Sequence, residues 1–303
     1  MAKMYHRIDE RFAGDSEWHR RSQATRHYDE IVTAYFMLLS YGFGIFLHIS
    51  LYYLLLIGKW RDVLRSEEVK SYFGIIAGAV ALVFISLLWL FEAFPQVYTT
   101  EEAFRHSLFQ VASLMTTAGY TTTDYDVWPM LGKTTLIMVM FIGAMAGSTA
   151  GGTKLSRSII AFKGAYINVR KLINPRYVPK AKFEGKTLDG KTINDVFAFI
   201  TLYFFIFLAA LFLLAFDPVN GQITTIVSDA GTYTVEHGFF SNFSAVLTCI
   251  SNVGPAFEAV GPYSSFAGYN GFSTIILTFT MMLGRLEILP VLILFNRRTW
   301  TKV

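Results

Sequence analysis

Five long apolar runs constrain this chain more than any other feature of its sequence. Each is long enough, or nearly so, to cross the hydrocarbon core of a bilayer, which takes about 20 apolar residues in a helix. The runs are Ile31–Ile57, Tyr72–Phe91, Leu131–Gly147 with its continuation Leu155–Val169, Ile193–Phe216 and Gly271–Phe295. Charged residues make up 16% of the chain, against about 25% in soluble domains. The sequence therefore predicts an all-α polytopic membrane protein.

The charges between the runs predict how the chain is oriented. Basic residues concentrate in segments 58–71 and 163–191 and in the tail after Phe295, whereas segments 92–130 and 217–270 share one basic residue, Arg105. The positive-inside rule places the first set in the cytoplasm and the second outside. The outer segments are acidic, which is typical of a mouth that concentrates cations, and equally of ordinary solvated loops. Counting the membrane crossings back from these segments places residues 1–30 outside, although they carry six basic side chains. We therefore expect that the start of the chain is truncated or replaced.

Both outer segments contain a similar short apolar stretch. When Gly119 is aligned with Gly254, Phe104 falls on Phe239 and Ser113 on Thr248. Each stretch reads as a helix of about three turns that ends in a small polar turn with glycine. Such a half-helix can enter a membrane and return if protein or water covers its end. The pattern predicts tandem repeats of membrane helix, re-entrant pore helix and membrane helix, as in a K⁺ channel.

The two turns have the composition of an ion filter. A cation that loses its water needs oxygen ligands, and backbone carbonyls provide them where glycine lets the chain turn inward. Alone, each turn is more typical of a glycine that ends a helix, and it is the two copies in matching positions that favour a filter. The predicted filter residues are Thr116, Thr117, Ala118 and Gly119 with Ser251, Asn252, Val253 and Gly254.

A glycine-rich run, GAMAGSTAGGTK (Gly143–Lys154), interrupts the third apolar run. It resembles the phosphate-binding pattern G-x-x-x-x-G-K-[ST], but its Thr153 precedes Lys154 instead of following it. A phosphate loop also follows a short buried strand, and here a long Met- and Leu-rich run precedes the glycines. A nucleotide-driven enzyme is therefore disfavoured, and a helix kink at paired glycines remains open. The single cysteine, Cys249, excludes an intrachain disulfide.

Five stretches together carry a resemblance to the Trk/Ktr/HKT family of potassium transporters. They are TTAGYTTTDYDVWP, FIGAMAGSTAGGTKLSRSI, INPRYVPKAKFEGK, SNVGPAFEAVGP and MMLGRLEILPVLILF. The resemblance implies four membrane–pore–membrane repeats in a complete chain. The boundaries it suggests are a polar segment 1–30, the closing helix of an incomplete repeat at 31–71, a pore repeat at 72–169, a basic cytoplasmic linker at 170–192 and a last pore repeat with its tail at 193–303.

The resemblance also assigns roles to residues. The glycine run matches an intramembrane gate loop, Gly147, Ser148, Thr149, Ala150, Gly151, Gly152 and Thr153. Arg285 matches a pore-facing arginine that acts as a barrier to K⁺, while a structural partnership with Glu287 or loop carbonyls stays open. Lys154 and Arg157 are expected to reach towards the cytoplasmic interface. K⁺, the transported ion, is expected at Thr117, Gly119, Asn252 and Gly254, and no cofactor is implied.

Several alternatives remain open for the whole protein. The chain supplies two filter segments where the family uses four, so it is a fragment, a split subunit that needs a sister chain, or a homodimer that builds its own four-part filter. A non-conducting membrane interaction subunit is the functional alternative. The expected partners are membrane lipid and a cytosolic nucleotide-binding regulatory subunit that docks on the basic linker, and no nucleic acid. The expected location is the cell membrane.

Overall fold

The computed structural model describes residues 58, 60–89, 98–148, 151–174, 181–228 and 231–294, all within one compact unit, Gly44–Val303. The predicted segment 1–30, the run Ile31–Ile57 and two gate-loop residues, Thr149 and Ala150, lie outside the described residues.

Helices dominate the described chain. The first part contains α1 (Trp60–Arg65), α2 (Glu67–Trp89), α3 (Thr100–Met115), α4 (Met130–Ile142) and α5 (Leu155–Ile173). The second part contains strands β1 (Lys182–Phe183) and β2 (Lys186–Thr187), α6 (Gly190–Leu214), strands β3 (Ile223–Ser228) and β4 (Gly231–Glu236), α7 (Phe239–Ser251), α8 (Gly271–Arg285) and α9 (Ile288–Leu294).

Two of these helices are long and apolar enough to cross a membrane, Glu67–Leu88 within α2 and Gly190–Leu214, which is α6. Helices α3 and α7 are shorter, as expected for half-helices. Local sequence explains how α3 begins: the Thr99 side chain accepts a hydrogen bond from the Glu102 backbone, and the Glu102 carboxylate accepts one from the Thr99 backbone. This reciprocal pair satisfies two donors that a helix start leaves open.

The core lies where the short helices meet the long ones. Helix α3 packs between α2 and α4, and α7 packs against α6, α8 and α4. The side chains that fill these contacts include Tyr72, Leu114, Leu136, Met140 and Leu247, all of which are fully buried. Each short helix is therefore packed against at least two other helices of the described chain.

The structure differs from the all-α prediction at two antiparallel hairpins. Strands β1 and β2 form a two-residue ladder, and β3 and β4 pair from Ile223 with Glu236 to Ser228 with Gly231. The segment ITTIVS is rich in β-branched residues, a strand signal that the membrane interpretation passed over. The rest of the described chain agrees with a mostly helical fold.

The length of the last apolar run suggested a single helix, but the structure divides it into two. Helix α8 ends at Arg285, and α9 begins at Ile288 after Glu287, whose φ is 58°. Pro290 accounts for the break. It lacks an N–H and its ring clashes with the carbonyl four residues earlier, that of Leu286, so α8 cannot continue through this point.

Segments predicted on the same side of the membrane meet each other. At one end, Lys163 of α5 contacts Glu67 of α2 and donates to the Lys182 carbonyl of β1 at 2.8 Å. At the other end, the Tyr233 hydroxyl of β4 donates to Asp124 Oδ2 at 2.7 Å.

Candidate functional site

Helix α3 ends in a tight turn. The N–H of Ala118 donates to the Ser113 carbonyl at 2.9 Å, and Ser113 Oγ donates to the Tyr120 carbonyl at 2.6 Å. Thr117 has a φ of 57° and Gly119 one of 74°. Positive φ is rare for a β-branched residue such as Thr117, and strain of this kind clusters at functional sites.

Helix α7 ends in the same way. The N–H of Val253 donates to the Thr248 carbonyl at 3.0 Å, and Thr248 Oγ1 donates to the Pro255 carbonyl at 3.1 Å. Asn252 has a φ of 56° and Gly254 one of 118°. Each bond and each positive φ falls on the residue that the sequence alignment pairs with the first turn.

The small polar side chains of the two turns also form hydrogen bonds with the helices around them. Thr116 Oγ1 donates to the Ala112 carbonyl at 2.7 Å, and Ser251 Oγ lies 3.1 Å from the Tyr203 hydroxyl of α6. Asn252 Nδ2 donates to the Met281 carbonyl of α8 at 3.2 Å. These side chains therefore fix the turns to their own repeat.

The turns touch each other at Gly119. A Cβ atom built on Gly119 would overlap the carbonyl oxygen of Val253, whereas one on Gly254 would meet nothing within 4 Å. Gly119 is therefore required both for its backbone angle and for the close approach of the second turn. Gly254 is required for its backbone angle alone.

A second tie joins the loops that follow the turns. The Tyr125 hydroxyl donates to the Ala256 carbonyl at 2.8 Å, and the Glu258 N–H donates to Asp126 Oδ1 at 3.0 Å. Asp126 is 7% exposed, and burial raises the pKa of its carboxyl to about 7. A Cβ on Gly261 would overlap Asp126 Oδ2, so the glycine makes room for this carboxyl group.

The described part of the predicted gate loop lies directly against the second turn. A Cβ on Gly151 would overlap the Ser251 carbonyl oxygen and would lie 3.1 Å from Asn252 Cβ. Gly147 and Gly152 have φ values of 77° and 80°, which explains the glycines at these positions. Thr153 Oγ1 donates to the Phe141 carbonyl at 2.8 Å and fastens the downstream end of the loop to α4.

A cavity of about 390 Å³ opens beside this loop. Its lining includes Ser148 and Gly152 from the loop, Tyr203 from α6, and Arg285 and Glu287 from the break between α8 and α9. The structure therefore brings Arg285 and the loop to one cavity. Arg285 is the last residue of α8 and is exposed, not in mid-helix as the unbroken run predicted, and a cation there complements the helix dipole.

The sequence interpretation missed an ion cluster in this cavity. Lys154 Nζ donates to Glu287 Oε1 at 2.6 Å, and Arg157 Nη2 donates to Glu287 Oε2 at 3.0 Å. The Arg157 guanidinium also stacks 4.1 Å from the centre of the Phe199 ring. Both cations bind a carboxylate from the other broken helix, a partner that the expected reach towards the cytoplasmic interface did not include. With Lys154 engaged in this way, the phosphate-loop interpretation also loses its lysine.

Comparison with known proteins gives a family match and several relatives. Residues 72–301 match the TrkH family, described as cation transport protein. The chain is 30% identical over 274 residues to the Trk system potassium uptake protein TrkH of Salmonella typhimurium, covering 89% of this chain and 50% of that protein. It is 31% identical over 273 residues to TrkG of Escherichia coli K12, covering 89% and 50%.

A solved structure has a similar fold. The crystal structure of the potassium transporter TrkH from Vibrio parahaemolyticus superposes with a TM-score of 0.69 at 27% identity, covering 90% of this chain and 53% of that one. This chain spans about half the length of the curated relatives it matches.

Proposed function

Because the chain belongs to the TrkH family of cation transport proteins, we propose that it is a potassium-permeation subunit of a Trk-type transporter. It is a multi-pass protein of the cell membrane. In this proposal the segments 72–169 and 193–303 are two pore repeats, and the turns at Thr116–Gly119 and Ser251–Gly254 are two of the filter segments.

One observation carries the proposal. The two turns share two matching hydrogen bonds and a positive φ at two matching residues, and they meet at Gly119 and the Val253 carbonyl. A helix-ending glycine explains either turn alone. It does not explain why two turns, far apart in sequence, adopt one geometry and come into contact. Carbonyl oxygens arranged around an axis are what a dehydrated cation needs.

The ion is proposed to lie against Thr117, Gly119, Asn252 and Gly254. Below this level the gate loop, Gly147–Thr153, closes the path, and Arg285 in the adjoining cavity opposes cations that have passed the filter. The loop is tolerated at this depth because it lines a cavity instead of facing lipid.

The remaining filter segments come from elsewhere in the assembly, from a sister chain, a second copy, or a longer chain of which this is a part. A cytosolic nucleotide-binding subunit is the proposed regulator, docking on the basic linker 170–192. The proposal assigns no cofactor to this chain and no enzymatic reaction.

The test is ion selectivity in glycine variants. The chain is produced together with the first two repeats of a relative in a bacterium that lacks its own potassium uptake, and ⁸⁶Rb⁺ uptake is measured against competing Na⁺. Gly119→Ser is expected to reduce uptake most, because its side chain displaces the Val253 carbonyl. Gly254→Ser is expected to weaken selection against Na⁺, through backbone strain of about 1–3 kcal/mol.

Gly221→Ser is the matched control. Gly221 has a φ of 84° with open space at its Cβ position, like Gly254, but it lies beside the outer hairpin. It should therefore suffer similar strain without a change in selectivity. Unchanged selectivity in both filter variants, at normal membrane levels, would contradict the proposal.

A non-conducting interaction subunit is the second candidate, favoured by the half-length match to the relatives. The same uptake assay, in the bacterium that lacks its own potassium uptake, distinguishes the two candidate functions. If the chain binds its partner repeats but ⁸⁶Rb⁺ uptake does not depend on either filter glycine, the interaction role is the better description.

A further inference from the structure

The hairpin β1–β2 is joined to the start of α2 by one carboxylate. Glu184 Oε1 accepts hydrogen bonds from Ser66 Oγ at 2.8 Å and from the Glu68 N–H at 2.9 Å. Glu184 and Gly185 form the hairpin turn with φ values of 50° and 74°. A two-residue turn with both φ values positive sets the twist of a tight hairpin, and here it also aims the carboxylate at α2.

The start of α2 needs such a partner. The first N–H groups of a helix lack acceptors within the helix, and the helix dipole favours a negative charge there. Ser66 Oγ accepts from the Val69 N–H at 3.3 Å, and Glu184 supplies an acceptor for the Glu68 N–H. The hairpin therefore completes the cap of a helix that lies more than a hundred residues earlier in the chain.

The same helix start holds the upstream end of the gate loop. The Glu68 side chain is 5% exposed, and its Oε1 accepts from the Ala146 N–H at 2.8 Å. Ala146 immediately precedes the loop. Glu68 of α2 thus binds the hairpin through its backbone N–H and the loop through its side chain.

Helix α5, which follows the gate loop, is tied to the same junction. Lys163 contacts Glu67 of α2, donates to the Lys182 carbonyl at 2.8 Å, and lies 5.8 Å from the centre of the Phe183 ring. The segments on both sides of the loop therefore contact one cluster made of the α2 start and the hairpin.

We propose that the β1–β2 hairpin controls the gate loop through the start of α2, with Glu184 and Glu68 as the positioning residues. This inference rests on the proposed function of Gly147–Thr153 as a gate. A force that draws the hairpin away from the membrane removes Glu184 from the Ser66–Glu68 cap. The α2 start then loosens, and Ala146 loses its fixed anchor.

The experiment measures loop mobility without using ion flux. Ser148 is replaced by Cys in a Cys249→Ser background, in the full assembly that contains this chain. Inside-out membrane vesicles are then treated with a charged thiol reagent. Glu184→Ala is expected to speed labelling several-fold, since the cap is lost. Glu184→Gln keeps an acceptor oxygen and should stay close to the parent, which a general loss of folding would not predict.

Asp189→Ala is the matched control. Asp189 is an exposed carboxylate close to the same hairpin, and its side chain makes no bond at the start of α6. It also lies in the linker 170–192, so the labelling is done without the regulatory subunit, and its removal should then leave the labelling rate unchanged. Glu68→Ala should speed labelling as much as Glu184→Ala. The double variant should add little, because the two residues act in series.

Two outcomes are distinguished by measuring ⁸⁶Rb⁺ flux in the same vesicles. Faster labelling with unchanged flux would support the coupling and contradict the role of the loop as a gate. Labelling at the parent rate in Glu184→Ala and Glu68→Ala, at normal membrane levels, would overturn the coupling whatever the flux.

Discussion

Arg285 is the residue whose observed surroundings differ most from those that the sequence predicted. It lies at the end of α8, in a cavity that also holds Lys154, Arg157 and Glu287. Because Glu287 is held by Lys154 and Arg157, the cavity as a whole is positive. In the proposed function, this charge opposes a cation that has left the filter.

We therefore expect Arg285→Ala to raise ⁸⁶Rb⁺ flux per inserted protein several-fold, and Arg285→Lys to retain most of the barrier because the charge remains. Arg65→Ala, which removes an exposed arginine from the end of α1 and outside the cavity, serves as the control and should change neither flux nor membrane level. A fall in flux for Arg285→Ala at normal insertion would instead assign Arg285 a structural role.

Asp126 gives the outer loops a pH dependence. Burial raises the pKa of its carboxyl to about 7, from an ordinary value near 4. The groups around it are Lys133, whose charge lowers this pKa, and Asp124 and Glu258, whose charges raise it. The folded protein therefore holds a proton at this site between about pH 4 and pH 7 that the unfolded chain releases.

Because the native state binds the extra proton, its stability falls as pH rises through this window. Asp126→Asn keeps an acceptor for the Glu258 N–H and removes the titration. We expect its melting temperature in detergent to exceed that of the parent by several degrees at pH 8 and to approach it at pH 5. A parent and variant whose melting temperatures keep the same difference from pH 5 to pH 8 would contradict this assignment.

At the scale of elements, the gate loop is the segment whose length should matter most. Deleting Ser148 and Thr149 shortens it between two fixed ends, the Ala146–Glu68 bond and the Thr153–Phe141 bond. The shortened loop cannot stay against the second turn. We expect higher ⁸⁶Rb⁺ flux and weaker response to the regulatory subunit.

Removing Asp229 and Ala230, which connect β3 to β4, provides a deletion of equal length on the outer side. It should leave flux and regulation as they were. If the gate-loop deletion inserts normally and its flux is also unchanged, the loop does not close the path.

The elements also show what local sequence could predict. The turns at Gly119 and Gly254 were predicted because glycine marks positive φ and because the pattern occurs twice. The left-handed Thr117 could not be predicted, since local preference opposes it. The break between α8 and α9 had a visible signal in Pro290, but the apolar run around it favoured one continuous helix.

At the scale of the whole molecule, the sequence predicted membrane helices and tandem pore helices, but not the contacts that join the repeats. Glu287 was considered only beside Arg285, its neighbour in sequence. Its partners, Lys154 and Arg157, lie on a helix more than a hundred residues earlier. Charge pairs of this kind depend on how two broken helices are placed, which no local pattern encodes. The outer β3–β4 hairpin was missed for a different reason, because its strand signal was read as an ordinary loop.

The anchors of the gate loop set how far it can travel. The Leu155 N–H donates to the Ala144 carbonyl at 2.9 Å and closes the base of the loop. Ala146 and Thr153 are also held, and the segment between them has a contour length of about 20 Å. In the proposed gating, this segment moves by at most about half that length while α4 and α5 stay in place. Because the segment consists of Gly, Ser, Thr and Ala, the proposed opening should expose little apolar surface and carry only a small heat-capacity change.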